Sequence, residues 1–175
     1  VGLLSFQHQS VSHLTGTASF LSLKIMQGDW QLAIHFCGVM LSFFLGALLS
    51  GLIIQNATLR LGKGYSAALL LESFLLFTAL MMLQHNYSNS DFLASAACGL
   101  QNAMVSTYSG AIIRTTHITG TVTDLGVMIG QYLRGHTIDT RKLGLYLLLL
   151  TGFITGGLVG AFGFLQIHYA ILWLP

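Results

Sequence analysis

The sequence predicts an all-α, polytopic membrane protein. About six transmembrane helices would form two inverted three-helix repeats, each opening on a broken helix. Three observations lead there. The chain is 54% hydrophobic and 7% charged, with mean hydropathy +0.74, whereas soluble domains carry about 25% charged residues. A surface so poor in charge has to face lipid. Apolar runs long enough to cross a bilayer recur along the chain. Finally, His13-Leu14-Thr15-Gly16-Thr17 returns as His117-Ile118-Thr119-Gly120-Thr121, 104 residues later (117 minus 13).

Residues 1–12 read as the end of a first span. Its polar run Gln7-His8-Gln9-Ser10 suits contact with protein or water rather than lipid. The first break follows, then a short amphipathic helix over 17–27, with Thr15 or Thr17 as its N-cap. Lys24 and Asp29 mark a loop. Leu32–Ile54 is a span of 23 residues without Asp, Glu, Lys or Arg, long enough for a core of about 30 Å. Gly38, Ser42, Gly46 and Ser50 recur every four residues on it, a face along which another helix can approach closely. A loop over 56–64 holds Arg60 and Lys63. Tyr65–Leu83 is the next span, interrupted by Glu72, and 84–90 is a polar loop.

Asp91–Gly110 is a further span, containing Gln101 and Asn102. The second break, 111–120, holds Arg114 and His117. A second short helix covers 121–134, with Asp124 in its first turn, and 135–142 is a loop. Leu143–Gln166 is a span on which Gly152, Gly156 and Gly160 repeat every four residues, and residues 168–175 open another. The Cys37 and Cys98 thiols, both in apolar segments, read as small buried hydrophobes. The chain starts at Val1 without an initiator Met and stops in an apolar run, which reads as a piece with material missing at both ends.

The duplication is one of order as well as motif. Breaks recur at an offset of 104, and the small-residue faces at 110 (Ser42, Gly46, Ser50 against Gly152, Gly156, Gly160). The chain therefore reads as one membrane domain, 1–175, with repeat one over about 1–83 and repeat two over about 84–175. An odd number of spans per repeat inverts the second repeat. Loop charges agree: Arg60 and Lys63 fall on the same side as Arg134, Arg141 and Lys142, while the loops at 24–31 and 84–90 hold Lys24 alone. Helices 17–27 and 121–134 are short for a separate crossing, which takes about 20 residues.

Ser12–Thr17, Phe44–Gly51, Gly99–Ala103 and His117–Gly126 together resemble the YoaK family, also called DUF1275, and the resemblance covers most of the chain. Leu14-Thr15-Gly16-Thr17 departs from the Met-Thr-Gly-Asn more common in that family at the first break. The resemblance implies a bacterial six-span protein, multi-pass in the cell inner membrane, and brings no established reaction. Function has to be argued from the residues.

Each break interrupts a helix. Gly16 and Gly120 allow the backbone to turn, and Thr119, Thr121 and Thr123 can cap the helix that follows. A half-helix that starts within the membrane offers free N–H groups and the positive end of its dipole. Two such ends about a pseudo-two-fold axis are the usual construction of a transporter's central site. The same motif would also serve as a well-capped turn at the membrane surface. His13 and His117 are proton carriers near neutral pH or structural hydrogen-bond donors holding each break. Glu72 and Asp124 are ion-coupling carboxylates with Arg114 as anion clamp, or parts of buried pairs that fix packing. Gln101 and Asn102 line the cavity or join helices.

The expected function is a small secondary transporter or permease for a small solute, which could be anionic. Its substrate site would comprise His13, Thr15, Gly16, Thr17, Gln101, Asn102, Arg114, His117, Thr119, Gly120 and Thr121. The alternative is a non-transporting scaffold or regulatory membrane protein that uses its small-residue faces as interfaces. Enzymatic activity is not expected, since no phosphate loop, nucleophile elbow or HExxH motif is present. Neither a cofactor nor a metal site is expected, because no Cys or carboxylate cluster has ligand spacing. The expected partners are the lipid bilayer, the solute and a second copy of the chain through the small-residue faces. A net charge of +2 points to no nucleic acid.

Overall fold

A computed structural model describes residues 11–54, 63–85, 87, 89–108 and 116–167. Six helices and no strand occur among them: α1 Leu14–Met26, α2 Trp30–Ile53, α3 Lys63–Gln84, α4 Ser90–Tyr108, α5 Ile118–Leu133 and α6 Thr140–Ile167. The expected spans at 1–12 and 168–175, the loop charge Arg60 and the anion clamp Arg114 lie outside the described residues.

Three helices are long and apolar enough to cross a membrane: Trp30–Ile53, Gly64–Gln84 and Thr140–Ile167. This fits a membrane protein. Six spans were expected, and α4 does not join the three. It carries Asp91, Ser95, Gln101, Asn102 and Ser106 in 19 residues. Those polar groups are tolerated because α4 is central, with α2 packed along one side of it and α3 along another.

The partners across the α2–α4 interface advance together. His35 meets Asp91, the Val39 carbonyl meets Ser95, and the Phe43 carbonyl lies where a side chain on Gly99 would start. Each pair is 56 residues apart, so α2 and α4 run parallel. Against α3 the order reverses: Tyr65 at the start of α3 stacks edge-on with Tyr108 at the end of α4, ring centroids 5.9 Å apart. Alternating directions for α2, α3 and α4 are what successive crossings require. The close approach depends on small residues. A Cβ on Gly46 would run into the Ala96 carbonyl, and one on Gly99 into the Phe43 carbonyl. The small-residue face read from the sequence of α2 thus has a partner. At one end of the trio Ile54, Tyr65, Ala68, Leu100 and Met104 form an apolar core.

The matching face on α6 does not. Among the described residues nothing lies within 4 Å of where a Cβ on Gly152, Gly156 or Gly160 would stand. Spacing creates a surface that can be approached, and no described helix of this chain approaches it. α6 packs on α5, where Tyr146 and Leu125 are buried.

Other readings also shift. α1 begins at Leu14 rather than residue 17, and α5 at Ile118 rather than 121. α1 buries Thr17 and exposes Phe20, Leu23, Ile25 and Met26, the reverse of a soluble amphipathic helix. Its apolar side is free for lipid. Cys37 is exposed and Cys98 half-buried, so neither is a core residue of the usual kind.

Candidate functional site: two repeated helix starts and a polar interface

The two breaks have the same construction. His13 and His117 precede α1 and α5 with φ/ψ of −100°/71° and −95°/65°, and neither imidazole caps its helix. Thr17 donates its N–H to the His13 carbonyl (3.1 Å) and its Oγ1–H to the same oxygen (3.3 Å); Thr121 does so to the His117 carbonyl at 3.2 and 3.3 Å. One position in from each break, Ser19 Oγ donates to the Thr15 carbonyl and Thr123 Oγ1 to the Thr119 carbonyl.

The expected capping role of the threonines is therefore corrected. Thr15, Thr17, Thr119, Thr121 and Thr123 all lie inside the helices, which start three residues earlier than their sequence suggested. Where hydroxyls on these helices bond, they donate backwards to a carbonyl one turn earlier. Neither histidine caps the first N–H groups of the helix that follows it, the condition under which a helix start can receive an anion. Gly16 and Gly120 have another purpose too. Both are helical rather than turn residues, and a Cβ on either would collide with Nδ1 of the histidine three residues before it. Each glycine makes room for an imidazole folded over the first helical turn. Both histidines are exposed.

The repeat extends past the breaks. α1 and α5 each end two residues before a glycine of positive φ, Gly28 (73°) and Gly135 (89°), a conformation glycine adopts at little cost. Asp29 then accepts from the Leu32 N–H at the start of α2, and Asp139, 110 residues on (139 minus 29), from the Arg141 and Lys142 N–H groups at the start of α6. The helix-to-helix contact also corresponds. Phe20 packs on Phe36 with centroids 6.3 Å apart. Their equivalents at offsets 104 and 110 are Asp124 and Tyr146, joined by a hydrogen bond from the Tyr146 hydroxyl at 2.9 Å. One place in the unit is held by aromatic packing in the first copy and by a polar bond in the second.

Of the remaining expected site residues, Asn102 reaches the second break: its Nδ2 donates to Thr116 Oγ1 at 2.9 Å, one residue before His117. Gln101 is exposed on α4. Glu72 is buried on α3, close enough to Cys98 of α4 for its charge to act on the thiol. Asp124 sits with Tyr146 between α5 and α6. The two proposed coupling carboxylates thus belong to different helix pairs. Among the described residues no group of three His, Cys, Asp or Glu side chains comes together as a metal site.

Sequence reasoning passed over the strongest polar contact. His35 Nε2 and Asp91 Oδ2 are 2.6 Å apart across the α2–α4 interface. Phe92 packs its ring on His35 at 5.0 Å, and the Ser95 hydroxyl donates to the Val39 carbonyl one turn on. In the sequence Asp91 marks only the edge of a span, and His35 lies unremarked within another. A signal was present: Asp91, Ser95, Gly99, Asn102 and Ser106, at spacings of four and three, share one face of α4.

The chain belongs to the family described as "Protein of unknown function (DUF1275)", whose match covers residues 1–175. No curated protein and no solved structure matches it.

Proposed function

We propose that the chain is a small secondary transporter of the cell inner membrane, built from two inverted repeats. In this reading its substrate site lies between the two breaks, where His13, Thr15, Gly16 and Thr17 face His117, Thr119, Gly120 and Thr121. The observation that carries the reading is the pair of uncapped helix starts, repeated with the same backbone angles and the same glycine-cleared imidazole. Such starts suit an anionic group on the solute, because free N–H groups and the helix dipole favour negative charge. Asn102, tied to Thr116, supports the second break, and Gln101 and Arg114 extend the recognition. Glu72 and Asp124 serve as ion-coupling carboxylates, and inverted repeats around a midplane site are the common plan of such carriers. The short helices support it as well. At 13 and 16 residues, α1 and α5 span about 20 and 24 Å, less than a full crossing.

The test is ligand-dependent thermal stabilisation of the purified protein across a panel of small metabolites. A stabilising anion whose effect disappears in Arg114→Ala and in Gly120→Leu is expected. A panel that shifts nothing, or a shift unchanged in both variants, counts against a site between the breaks.

A second reading has one observation in its favour. The open stripe Gly152, Gly156 and Gly160 on α6 suits a scaffold or regulatory protein that binds another helix, including that of a second copy. It predicts that His13→Ala and His117→Ala leave function intact while Gly156→Leu abolishes it.

A further inference from the structure

We infer that the His35–Asp91 pair is a proton-exchange site. It is a third carboxylate position, independent of the two breaks, and it rests on the geometry between α2 and α4. Asp91 is the second residue of α4 and its side chain is 7% exposed; His35 lies in the second turn of α2 with its side chain 19% exposed. Both are within about 9 Å of the ends at which these parallel helices begin. The pair therefore stands near the end at which both helices begin, with the imidazole more exposed than the carboxylate.

Two features separate it from a static cross-link. Asp91 Oδ1 is buried and makes no full hydrogen bond among the described residues, although the backbone N–H groups of Asp91 and Phe92 at the start of α4 lie near the carboxylate. A buried carboxylate with a vacant oxygen is costly unless it is neutral for part of the time. The protonated form would make that oxygen a hydroxyl and remove the charge. Among the described residues the pair has one charged partner on each side. His35 is the charged neighbour acting on Asp91. Of the other ionisable groups described on the surrounding elements, His13 before α1 and Cys37 on α2 are exposed. Lys24 and Asp29, between α1 and α2, pair with each other at 3.6 Å. Glu72 and Cys98 lie deeper, between α3 and α4. His85 and Tyr87 are exposed beyond the end of α3.

With one proton shared across 2.6 Å the unit is neutral, either as carboxylate with imidazolium or as carboxylic acid with imidazole. Taking up a second proton leaves the acid facing an imidazolium, with a net charge of +1. Releasing the first leaves a carboxylate facing a neutral ring, with a net charge of −1. If the chain transports, the proton is its coupling ion, and that extension alone rests on the proposed function.

The experiment is modification by dicyclohexylcarbodiimide, which enters the membrane and reacts with protonated carboxyl groups. The protein is reconstituted in vesicles and each modified carboxylate is located by peptide mass spectrometry. Asp91 is expected to react at least about tenfold faster near pH 5.5 than near pH 8, as the acid form replaces the carboxylate that faces imidazolium. In His35→Gln the counter-charge is gone, so fast labelling should extend to higher pH. Two results would overturn the proposal: Asp91 unmodified at every pH while Glu72 reacts in the same sample, or identical profiles with and without His35. The wild-type profile needs no variant, so a misfolded His35→Gln leaves the test standing. Asp91 labelling with the expected profile, in a protein that no solute stabilises, supports the proton site and counts against transport alone.

Discussion

The unit α1–α2 and the unit α5–α6 are wired alike and packed differently. Each has a histidine before an uncapped helix, a glycine that clears its ring, a positive-φ glycine at the far end and an aspartate capping the long helix. Yet α2 lies tightly on α4, while only 6% of the apolar window of α6 is buried. The difference shows that local sequence specifies the helix–turn–helix unit and its stripe of small residues, whereas burial of that stripe depends on a partner from elsewhere. Small residues in a membrane helix permit close approach; they do not attract by themselves.

The largest effect that would sharpen this contrast is Gly46→Leu against Gly156→Leu. The first places a side chain in the Ala96 carbonyl and is expected to cost more than about 4 kcal/mol, with no monodisperse protein recovered. The second meets open space and should leave the thermal midpoint of the monomer within about 0.5 kcal/mol of wild type. Equal losses would mean that α6 is covered after all. Next comes the pair that the second unit lacks, since the position 110 residues after His35 is Leu145. His35→Leu leaves Asp91 buried without its partner, and a loss of about 3 kcal/mol is expected in thermal unfolding. The two helix caps should behave alike. Asp29→Ala and Asp139→Ala are each expected to cost about 1 kcal/mol, and a marked inequality would break the equivalence of the units. Tyr146→Phe removes the bond to exposed Asp124 and should cost about 0.5 kcal/mol.

Much of this was legible in the sequence. Apolar runs gave α2, α3 and α6 to within three residues, because length and hydropathy alone decide them. The breaks were visible because polar residues in apolar sequence are costly. The threonine roles were not. A Thr hydroxyl can accept at a cap or donate backwards, and a three-residue shift of the helix start selects between the two. Nor was the His35–Asp91 pair, which joins residues 56 apart and exists only once α2 and α4 lie parallel in that register. Of the candidate site, the sequence placed both halves and matched them; the packing that attaches Asn102 to the second half came from the fold.

The central claim is that the two breaks meet at one site. The rival arrangement has physical support of its own: α4, at 19 residues or about 28 Å, is long enough to carry the second break to the opposite surface. An axis in the membrane plane sends a break at one depth to the mirror depth, so separation reports position directly. The decisive measurement is the distance between spin labels at Thr15→Cys and Thr119→Cys, read by pulsed electron resonance in a protein carrying Cys37→Ser and Cys98→Ser. A shared site near the midplane predicts a separation of about 15 Å or less, half the apolar thickness of the bilayer. A separation of about 30 Å or more would place the breaks at opposite surfaces and contradict the account.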